Sequence, residues 1–313
     1  MFILPFRLLL TPLLIITTPL GSVFAQRSQK DFGPLERAVS DELRESNTPG
    51  LAVAVVSGDR IVYVKGLGVS NVETGTPVEP EMLFRTGSVG KLFTAALLTS
   101  LAEEGKIKLD EPIGKYIRGL SPKLSRVTSQ QLLSGTAGLI DGEPLYGPQD
   151  ESALAKTVRS WNDDIFFLEP GKLYSYSNLG FIIAGLVAEE IGSKSYADLM
   201  SERIFAPLGM KSTTFRPTMA ITRPLSQGHD SDGDSKPVVH RPFVEGTPSW
   251  PAGFMYSNVY DLARFAIAFM NGGKIDGRQV LSPAVIAMMS TPHADIQTPD
   301  VGSKNCLHTR SWP

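Results

Sequence analysis

The chain has 313 residues, of which 42% are hydrophobic and 20% charged, a composition typical of a globular domain and unlike a disordered or multi-span membrane chain. With 30 Lys and Arg against 32 Asp and Glu, the net charge is −2 and no basic stripe stands out. This excludes nucleic acid as a partner, because phosphate binding needs clustered cations. The single cysteine, Cys306, excludes an intrachain disulfide and gives no support to a thiolate nucleophile or metal site.

Residues 1–25 have the pattern of a secretory signal peptide. Arg7 precedes an apolar stretch, and small residues stand at the −3 and −1 positions of a cut after Ala25. Pro12 and Pro19 interrupt the stretch and leave too few apolar residues to span a bilayer. The sequence therefore predicts cleavage after Ala25 and a secreted or periplasmic protein without a stable membrane span.

The following part of the chain predicts an α+β fold. Four-residue apolar spacing predicts a helix over 34–46, and two β-rich runs, 51–56 and 61–64, predict a hairpin. An apolar helix over 92–101 then begins a mainly helical region, which continues with helices over 181–191, 196–205 and 260–270. Two strands are too few for an independent sheet, and no clear later strand is visible in the sequence.

The first chemical signal is Ser88-Val89-Gly90-Lys91, the only Ser-x-x-Lys in the chain. Residues three apart lie on one face of a helix, so the Lys91 amine reaches the Ser88 hydroxyl. A helix N-terminus stabilises a developing alkoxide, and a desolvated neutral amine accepts a proton. The other interpretation is a serine N-cap followed by a solvated lysine, and two fixed residues alone are a weak signal.

A second signal is Tyr176-Ser177-Asn178, just before the helix predicted over 181–191. Here the tyrosine hydroxyl could accept the serine proton, and the asparagine amide could bind a substrate carbonyl. A turn with a packed tyrosine ring and an Asx cap explains the same residues without a function. The pattern is repeated at Tyr256-Ser257-Asn258. The preceding Glu169-Pro170-Gly171 and the following glycine-bearing helix favour the first copy, so Tyr256 is predicted to be structural.

In order and spacing, these segments resemble the serine β-lactamase and penicillin-recognising family, specifically its class C-like serine hydrolase branch. The resemblance covers roughly residues 33–290. It rests on the stretches Phe84–Lys91, Leu132–Leu139, Pro170–Asn178, Pro207–Met210 and Pro251–Ala263. It implies a β-lactamase/transpeptidase-like fold, in which an antiparallel sheet is flanked by helices and joined to a mainly helical region. We accordingly expect one serine hydrolase domain over 26–290 and an atypical tail over 291–313.

The resemblance also implies an acyl-enzyme mechanism with four site residues. Ser88 would be the nucleophile, Lys91 and Tyr176 its proton-handling partners, and Asn178 the residue that orients the substrate. Which of Lys91 and Tyr176 is the base stays open. The implied substrates are β-lactams, D-Ala-D-Ala peptides or small esters, which the sequence does not separate. No metal or organic cofactor is implied, and the oligomeric state is open.

The family's third motif, Lys-Thr-Gly or His-x-Gly on a later strand, is not found in this chain. His308-Thr309-Arg310 has the first two letters of one variant but lacks the glycine. In the family, the oxyanion of the reacting substrate is bound by two main-chain N–H groups. One belongs to this strand and the other to the nucleophilic serine itself. The tail is therefore interpreted as a chain cut short, read out of frame or divergent, with C-terminal strands missing and activity reduced.

Three other functions compete with this interpretation of the sequence. A Ser–His–Asp α/β-hydrolase is disfavoured because the chain has no Gly-x-Ser-x-Gly and no strand–helix alternation. A metal hydrolase is disfavoured because the four histidines show no pair at ligand spacing. A non-catalytic protein that keeps the family's ligand cleft fits the missing third motif, and it stays as the alternative.

Overall fold

The N-terminal hairpin predicted from the sequence forms the main sheet of the fold. In the computed structural model, which describes residues 31–142, 146–231 and 236–294, helix α1 (Gly33–Glu45) precedes strands β1 (Gly50–Ser57) and β2 (Arg60–Asn71). The two strands pair antiparallel, with Gly50 opposite Gly68 and Ser57 opposite Arg60. A short strand, β3 (Thr76–Pro77), extends this sheet on the far side of β2.

The sequence showed no clear later strand that would complete this sheet; the structure adds the short β3 to it and places other short strands in separate two-stranded sheets. Among the described residues, three further antiparallel pairs are present: β4 (Phe84–Arg85) with β7 (Tyr256–Ser257), β5 (His229–Ser231) with β6 (Pro237–Val239), and β8 (Lys274–Ile275) with β9 (Arg278–Gln279). Each of these strands has only two or three residues, and alternation of polar and apolar residues needs at least four to be visible.

The helical region follows the sheet. In chain order its helices are α2 (Gly90–Glu103), α3 (Ser129–Leu133), α4 (Ala153–Ser160), α5 (Asn178–Gly192), α6 (Tyr196–Met200), α7 (Ala206–Leu208), α8 (Pro217–Ala220), α9 (Val259–Met270) and α10 (Pro283–Ser290). The helix predicted over 196–205 is not one α-helix, because Ser201–Phe205 forms a π-helical turn between α6 and α7. Pro207 is the second residue after this turn, and it lacks the N–H that would continue the α-helical ladder to Arg203.

The main core surrounds α2 and α5. Both helices are apolar on most sides, and the ring of Phe93 in α2 packs 4.4 Å from that of Phe265 in α9 and 5.9 Å from that of Phe205. Burying a side chain of this size stabilises the fold by roughly 1.5–3 kcal/mol. The α+β class predicted from the sequence is confirmed, with helices predominating over short antiparallel sheets.

Several predicted features lie outside the described residues. These are the signal peptide over 1–25, Cys306, and the partial third motif at His308. Within the ranges that the structure does describe, no helix is long and apolar enough to cross a membrane.

Candidate active site

Ser88 lies in a tight turn that connects strand β4 to helix α2. Gly87–Val89 forms one turn of 3-10 helix, and α2 begins directly after it at Gly90. Gly87 has φ +54°, a left-handed conformation that glycine adopts without strain. The turn is anchored by Thr86, whose N–H and hydroxyl both donate to the carbonyl of Met255, at 2.9 and 3.1 Å. Because residues three apart lie on one face of a helix, Lys91 in the first turn of α2 lies beside Ser88 in the preceding 3-10 turn.

The four residues predicted from the sequence converge in space. Lys91 Nζ lies 3.1 Å from Ser88 Oγ, and the hydroxyl of Tyr176 lies 2.6 Å from the same oxygen. Lys91 Nζ also donates to Asn178 Oδ1 at 2.6 Å. Lys91 is only 8% exposed, whereas Tyr176 is 42% exposed at the mouth of the site. A serine hydroxyl with a buried amine on one side and a phenol on the other has the geometry of an activated nucleophile.

The hydrogen bonds of Lys91 allow two positions for the proton of the Ser88 hydroxyl. Two partners of the amine only accept, namely Asn178 Oδ1 and the carbonyl of Ala252, each 2.6 Å away. A neutral amine satisfies both and turns its lone pair to the Ser88 hydroxyl. An ammonium donates to all three neighbours, and the Ser88 proton then points to the Tyr176 oxygen. Both arrangements leave every polar atom partnered, so the geometry is compatible with either residue as the base.

Helix α5 positions Tyr176 and Asn178 on either side of its N-cap. Ser177 is the N-cap residue: its hydroxyl accepts from the N–H of Gly180 at 3.3 Å and donates to the carbonyl of Ile140 at 2.9 Å. The approach to the helix is held against the loop before Ile140, because the N–H of Ser175 donates to the carbonyl of Gly135 at 2.8 Å. The segment that resembles the family motif at Leu132–Leu139 therefore supports the Tyr176 side of the site.

A buried segment, Thr247–Ala252, forms the floor of the site and supplies the Ala252 carbonyl. It is held to α2 by Thr94, which lies one turn after Lys91 and donates to the carbonyl of Pro251 at 2.7 Å. The Thr94 hydroxyl also lies 2.6 Å from the hydroxyl of the buried Tyr196 in α6. Pro251-Ala252-Gly253 carries part of the resemblance to the family, but its contact with Lys91 was not predictable from the sequence, because a main-chain carbonyl has no side-chain signature.

Tyr256, the second copy of the pattern, lies elsewhere. Its ring is fully buried and its hydroxyl donates to Glu245 Oε2 at 3.0 Å. Glu245 is 4% exposed and accepts a second hydrogen bond from Trp250 Nε1 at 2.9 Å. Burial raises the pKa of Tyr256 above its ordinary value, so its hydroxyl stays protonated as a donor. These contacts are those of a structural residue.

A groove with a volume of about 780 Å³ opens beside Lys91. Lys91 lines it together with Leu92, Leu133, Tyr174 and Phe181, and the groove runs from there along α2 to Met288 in α10, whereas Ser88, Tyr176 and Asn178 are not part of its lining. The ring of Phe181 lies 5.5 Å from Lys91 Nζ, and that of Tyr176 lies 4.8 Å from it. In the part of the chain that the structure describes, no group of three or more His, Cys, Asp or Glu is placed to hold a metal ion.

Comparison with known proteins agrees with this geometry. The beta-lactamase family model matches residues 35–312, which is most of the chain. The chain belongs to the beta-lactamase family. The resemblance inferred from the sequence is thereby confirmed.

Curated relatives of this family member include penicillin-binding protein 4 of Amycolatopsis lactamdurans, which is 30% identical over 264 residues covering 80% of this chain and 67% of that protein. An unguisins hydrolase of Aspergillus campestris is also 30% identical, over 281 residues covering 82% of this chain and 51% of that protein. The chain thus spans about two thirds of the first relative and about half of the second.

Solved structures of the family share the fold. The octameric penicillin-binding protein homologue from Pyrococcus abyssi superposes with a TM-score of 0.71 at 26% identity, covering 84% of this chain and 60% of that one. A class C beta lactamase from Rhodobacter sphaeroides gives a TM-score of 0.62 at 28% identity, covering 82% and 69%. The β-lactamase/transpeptidase-like fold expected from the sequence is therefore confirmed.

Proposed function

We propose that this chain is a serine hydrolase that works through an acyl-enzyme on Ser88. The observation that carries the proposal is the position of Ser88 Oγ within hydrogen-bond reach of both Lys91 Nζ and the Tyr176 hydroxyl, at 3.1 and 2.6 Å. A hydroxyl is a weak nucleophile until a neighbouring base takes its proton, and two such neighbours are in contact with it. Membership of the beta-lactamase family supports the same reaction class.

In the proposed first step, the proton of Ser88 moves to Lys91 or Tyr176 while Oγ bonds to the acyl carbon of the substrate. The bond from that carbon to the leaving nitrogen or oxygen then breaks, and the leaving group takes up the proton. Water hydrolyses the resulting Ser88 ester in the second step, which releases the acid and restores the hydroxyl. Asn178 is proposed to orient the substrate, as the resemblance implies, and no step requires a metal or an organic cofactor.

We propose β-lactams, D-Ala-D-Ala peptides or small esters as the substrates. The names of related proteins support the first two classes, since they include a penicillin-binding protein and a D-alanine carboxypeptidase from Burkholderia cenocepacia, and small esters follow from the resemblance alone. The groove beside Lys91 has room for a small molecule or for the end of a peptide.

We also propose that the chain is exported. The pattern over residues 1–25 supports this, with the cut placed after Ala25. Mass spectrometry of exported protein should find Gln26 at the N-terminus, and an intact Met1 in that material would refute the proposal.

Covalent labelling tests the nucleophile. The full chain is incubated with a fluorophosphonate and, separately, with a fluorescent penicillin, and the labelled peptide is identified by mass spectrometry. We expect Ser88 to carry the label and Ser88→Ala to remove it without changing thermal unfolding. A folded protein that neither reagent labels would favour the non-catalytic alternative, and label that persists in Ser88→Ala would exclude Ser88 as the nucleophile.

A further inference from the structure

Asp141 contacts α5 at the first residue of the helix. A single carboxylate oxygen, Oδ1, accepts three N–H groups: the main-chain N–H of Asn178 at 3.0 Å, the Asn178 side-chain Nδ2 at 3.2 Å, and the N–H of Gly142 at 3.0 Å. The Asn178 main-chain N–H is one of the four that a helix leaves without an internal partner at its start. The same oxygen therefore holds both the main chain and the side chain of Asn178.

The hydrogen-bond partners of the Asn178 amide determine which way it faces. An amide has a donor end and an acceptor end of nearly the same shape, so the surrounding hydrogen bonds decide its orientation. A carboxylate only accepts, which requires Nδ2 to face Asp141. At the other end Lys91 Nζ, 2.6 Å away, and the Tyr176 hydroxyl, 3.4 Å away, both donate, which places the acceptor there. Both requirements are satisfied by one orientation, in which Oδ1 faces Lys91.

We propose that Asp141 is a positioning residue for the Ser88 reaction, which acts by locking the Asn178 amide so that Oδ1 holds Lys91 against Ser88. This inference rests on the proposed function of Ser88 and Lys91. The location of Asp141 suits the role, because a negative charge at a helix N-terminus is favourable and strengthens its hold on the first N–H of α5. Asp141 itself contacts neither Ser88 nor Lys91, and its effect passes through Asn178.

Loss of Asp141 would free the amide to rotate. Rotated by half a turn, Nδ2 would face Lys91, and two donors would then oppose each other. Turned to solvent, the amide would leave Lys91 with one acceptor-only partner, the Ala252 carbonyl, instead of two. In either case Lys91 is less well held beside Ser88, and proton transfer depends on that geometry.

A double-mutant cycle tests the proposal on the full chain. The rate constant for fluorophosphonate labelling of Ser88 is measured in wild type, Asp141→Ala, Asn178→Ala and the double variant. We expect Asp141→Ala to slow labelling roughly 10- to 100-fold, the range set by a hydrogen bond to a charged group. Because Asp141 acts only through Asn178, the double variant should label no more slowly than Asn178→Ala alone. Independent, additive losses would overturn the proposal.

A matched control separates positioning from general stabilisation. Asp150 is also exposed and also accepts a main-chain N–H, from Ser152 at 3.0 Å, but it contacts none of the site residues. Asp150→Ala should leave the labelling rate unchanged. If Asp150→Ala slows labelling as much as Asp141→Ala does, the effect of Asp141 is merely structural and the proposal fails.

Exchange of the two side chains keeps the proposal testable if Asp141→Ala does not fold. In Asn178→Asp the new carboxylate faces that of Asp141, and we expect Ser88 to be labelled slowly in this variant. Adding Asp141→Asn supplies an amide N–H that can donate from position 141 to the carboxylate at position 178. We expect Ser88 to be labelled at least several-fold faster in the exchanged pair than in Asn178→Asp alone, and no recovery would contradict the proposal.

Failure of this proposal can be distinguished from failure of the proposed function. Labelling that persists in Ser88→Ala would refute the proposed function. Labelling that depends on Ser88 but is unchanged in Asp141→Ala would refute only the role of Asp141.

Discussion

Gly185, in the middle of α5, lies so close to Pro251 that a Cβ atom on Gly185 would stand 2.1 Å from Pro251 Cγ and 2.5 Å from Pro251 Cβ. Pro251 directly precedes Ala252, whose carbonyl accepts a hydrogen bond from Lys91. Helix α5 therefore supports the site at two separate points. Its N-terminus presents Asn178, and its centre is the surface on which the floor of the site rests.

Gly185→Ala should displace this floor. Because the clash is with a rigid proline ring, we expect overpacking to cost about 1–3 kcal/mol of unfolding free energy. The labelling rate of Ser88 should fall as well, since the Ala252 carbonyl moves with Pro251. Denaturant unfolding and fluorophosphonate labelling measure the two effects. Gly147→Ala is the control, because no atom lies within 4 Å of its Cβ position, and equal losses in both variants would contradict the explanation.

Lys91→Ala should slow covalent labelling by roughly 10²–10⁴-fold, the usual effect of removing a positioned acid–base group. It also leaves the Ala252 carbonyl and Asn178 Oδ1 without their common donor, so some loss of thermal stability is expected with it. Lys156→Ala, on the exposed side of α4, controls for loss of positive charge. A labelling rate in Lys91→Ala that equals the control would remove Lys91 from the mechanism.

The two tyrosines of the repeated pattern should separate activity from stability. Tyr176→Phe removes the hydroxyl 2.6 Å from Ser88 Oγ, and we expect slower labelling with little change in unfolding temperature because Tyr176 is exposed. Tyr256→Phe removes a donor to the buried Glu245, and we expect a loss of about 1–3 kcal/mol of stability with labelling of the folded protein largely retained. The opposite result, with Tyr256→Phe the variant that slows labelling, would show that the second copy serves the nucleophile.

Glu189 should make stability depend on pH. Burial raises the pKa of this carboxyl from 4.5 to about 7, although it accepts the N–H of Tyr196 at 2.7 Å. Between about pH 4.5 and 7 the unfolded chain releases this proton while the folded chain keeps it, so the free energy of unfolding falls as the pH rises. The loss is complete above pH 7 and is on the order of 3 kcal/mol at most.

Glu189→Gln checks this prediction, because glutamine keeps the acceptor for Tyr196 and never carries the charge. The variant should match wild type near pH 4 and exceed it in unfolding temperature at pH 8. Glu202→Gln, which removes an exposed carboxylate paired with Lys194, should show no comparable gain at pH 8. If the stability of Glu189→Gln depends on pH in the same way as that of wild type, a group other than Glu189 determines the pH dependence of stability.

Local spacing made part of the site predictable from the amino-acid sequence. Ser88 and Lys91 are three residues apart at the start of an apolar helix, and Tyr176 and Asn178 flank a serine suited to an N-cap. Contacts of this kind are set within one turn of backbone. The long amphipathic or apolar segments that became α1, α2, α5 and α9 were predictable for the same reason, since their periodicity is visible over three turns or more.

Contacts between distant segments were decided only by tertiary structure. The Ala252 carbonyl lies 161 residues from Lys91 in the chain, and main-chain atoms leave no trace in a sequence. Asp141 lies 37 residues before Asn178 in a loop, where nothing distinguishes it from other exposed carboxylates. The two-residue ladder between β4 and β7 joins residues more than 170 positions apart in the chain. The residue types and their local spacing made Ser88, Lys91, Tyr176 and Asn178 recognisable as candidates from the sequence alone. The packing of α5 and of the buried floor against α2 decided how these four groups are held together.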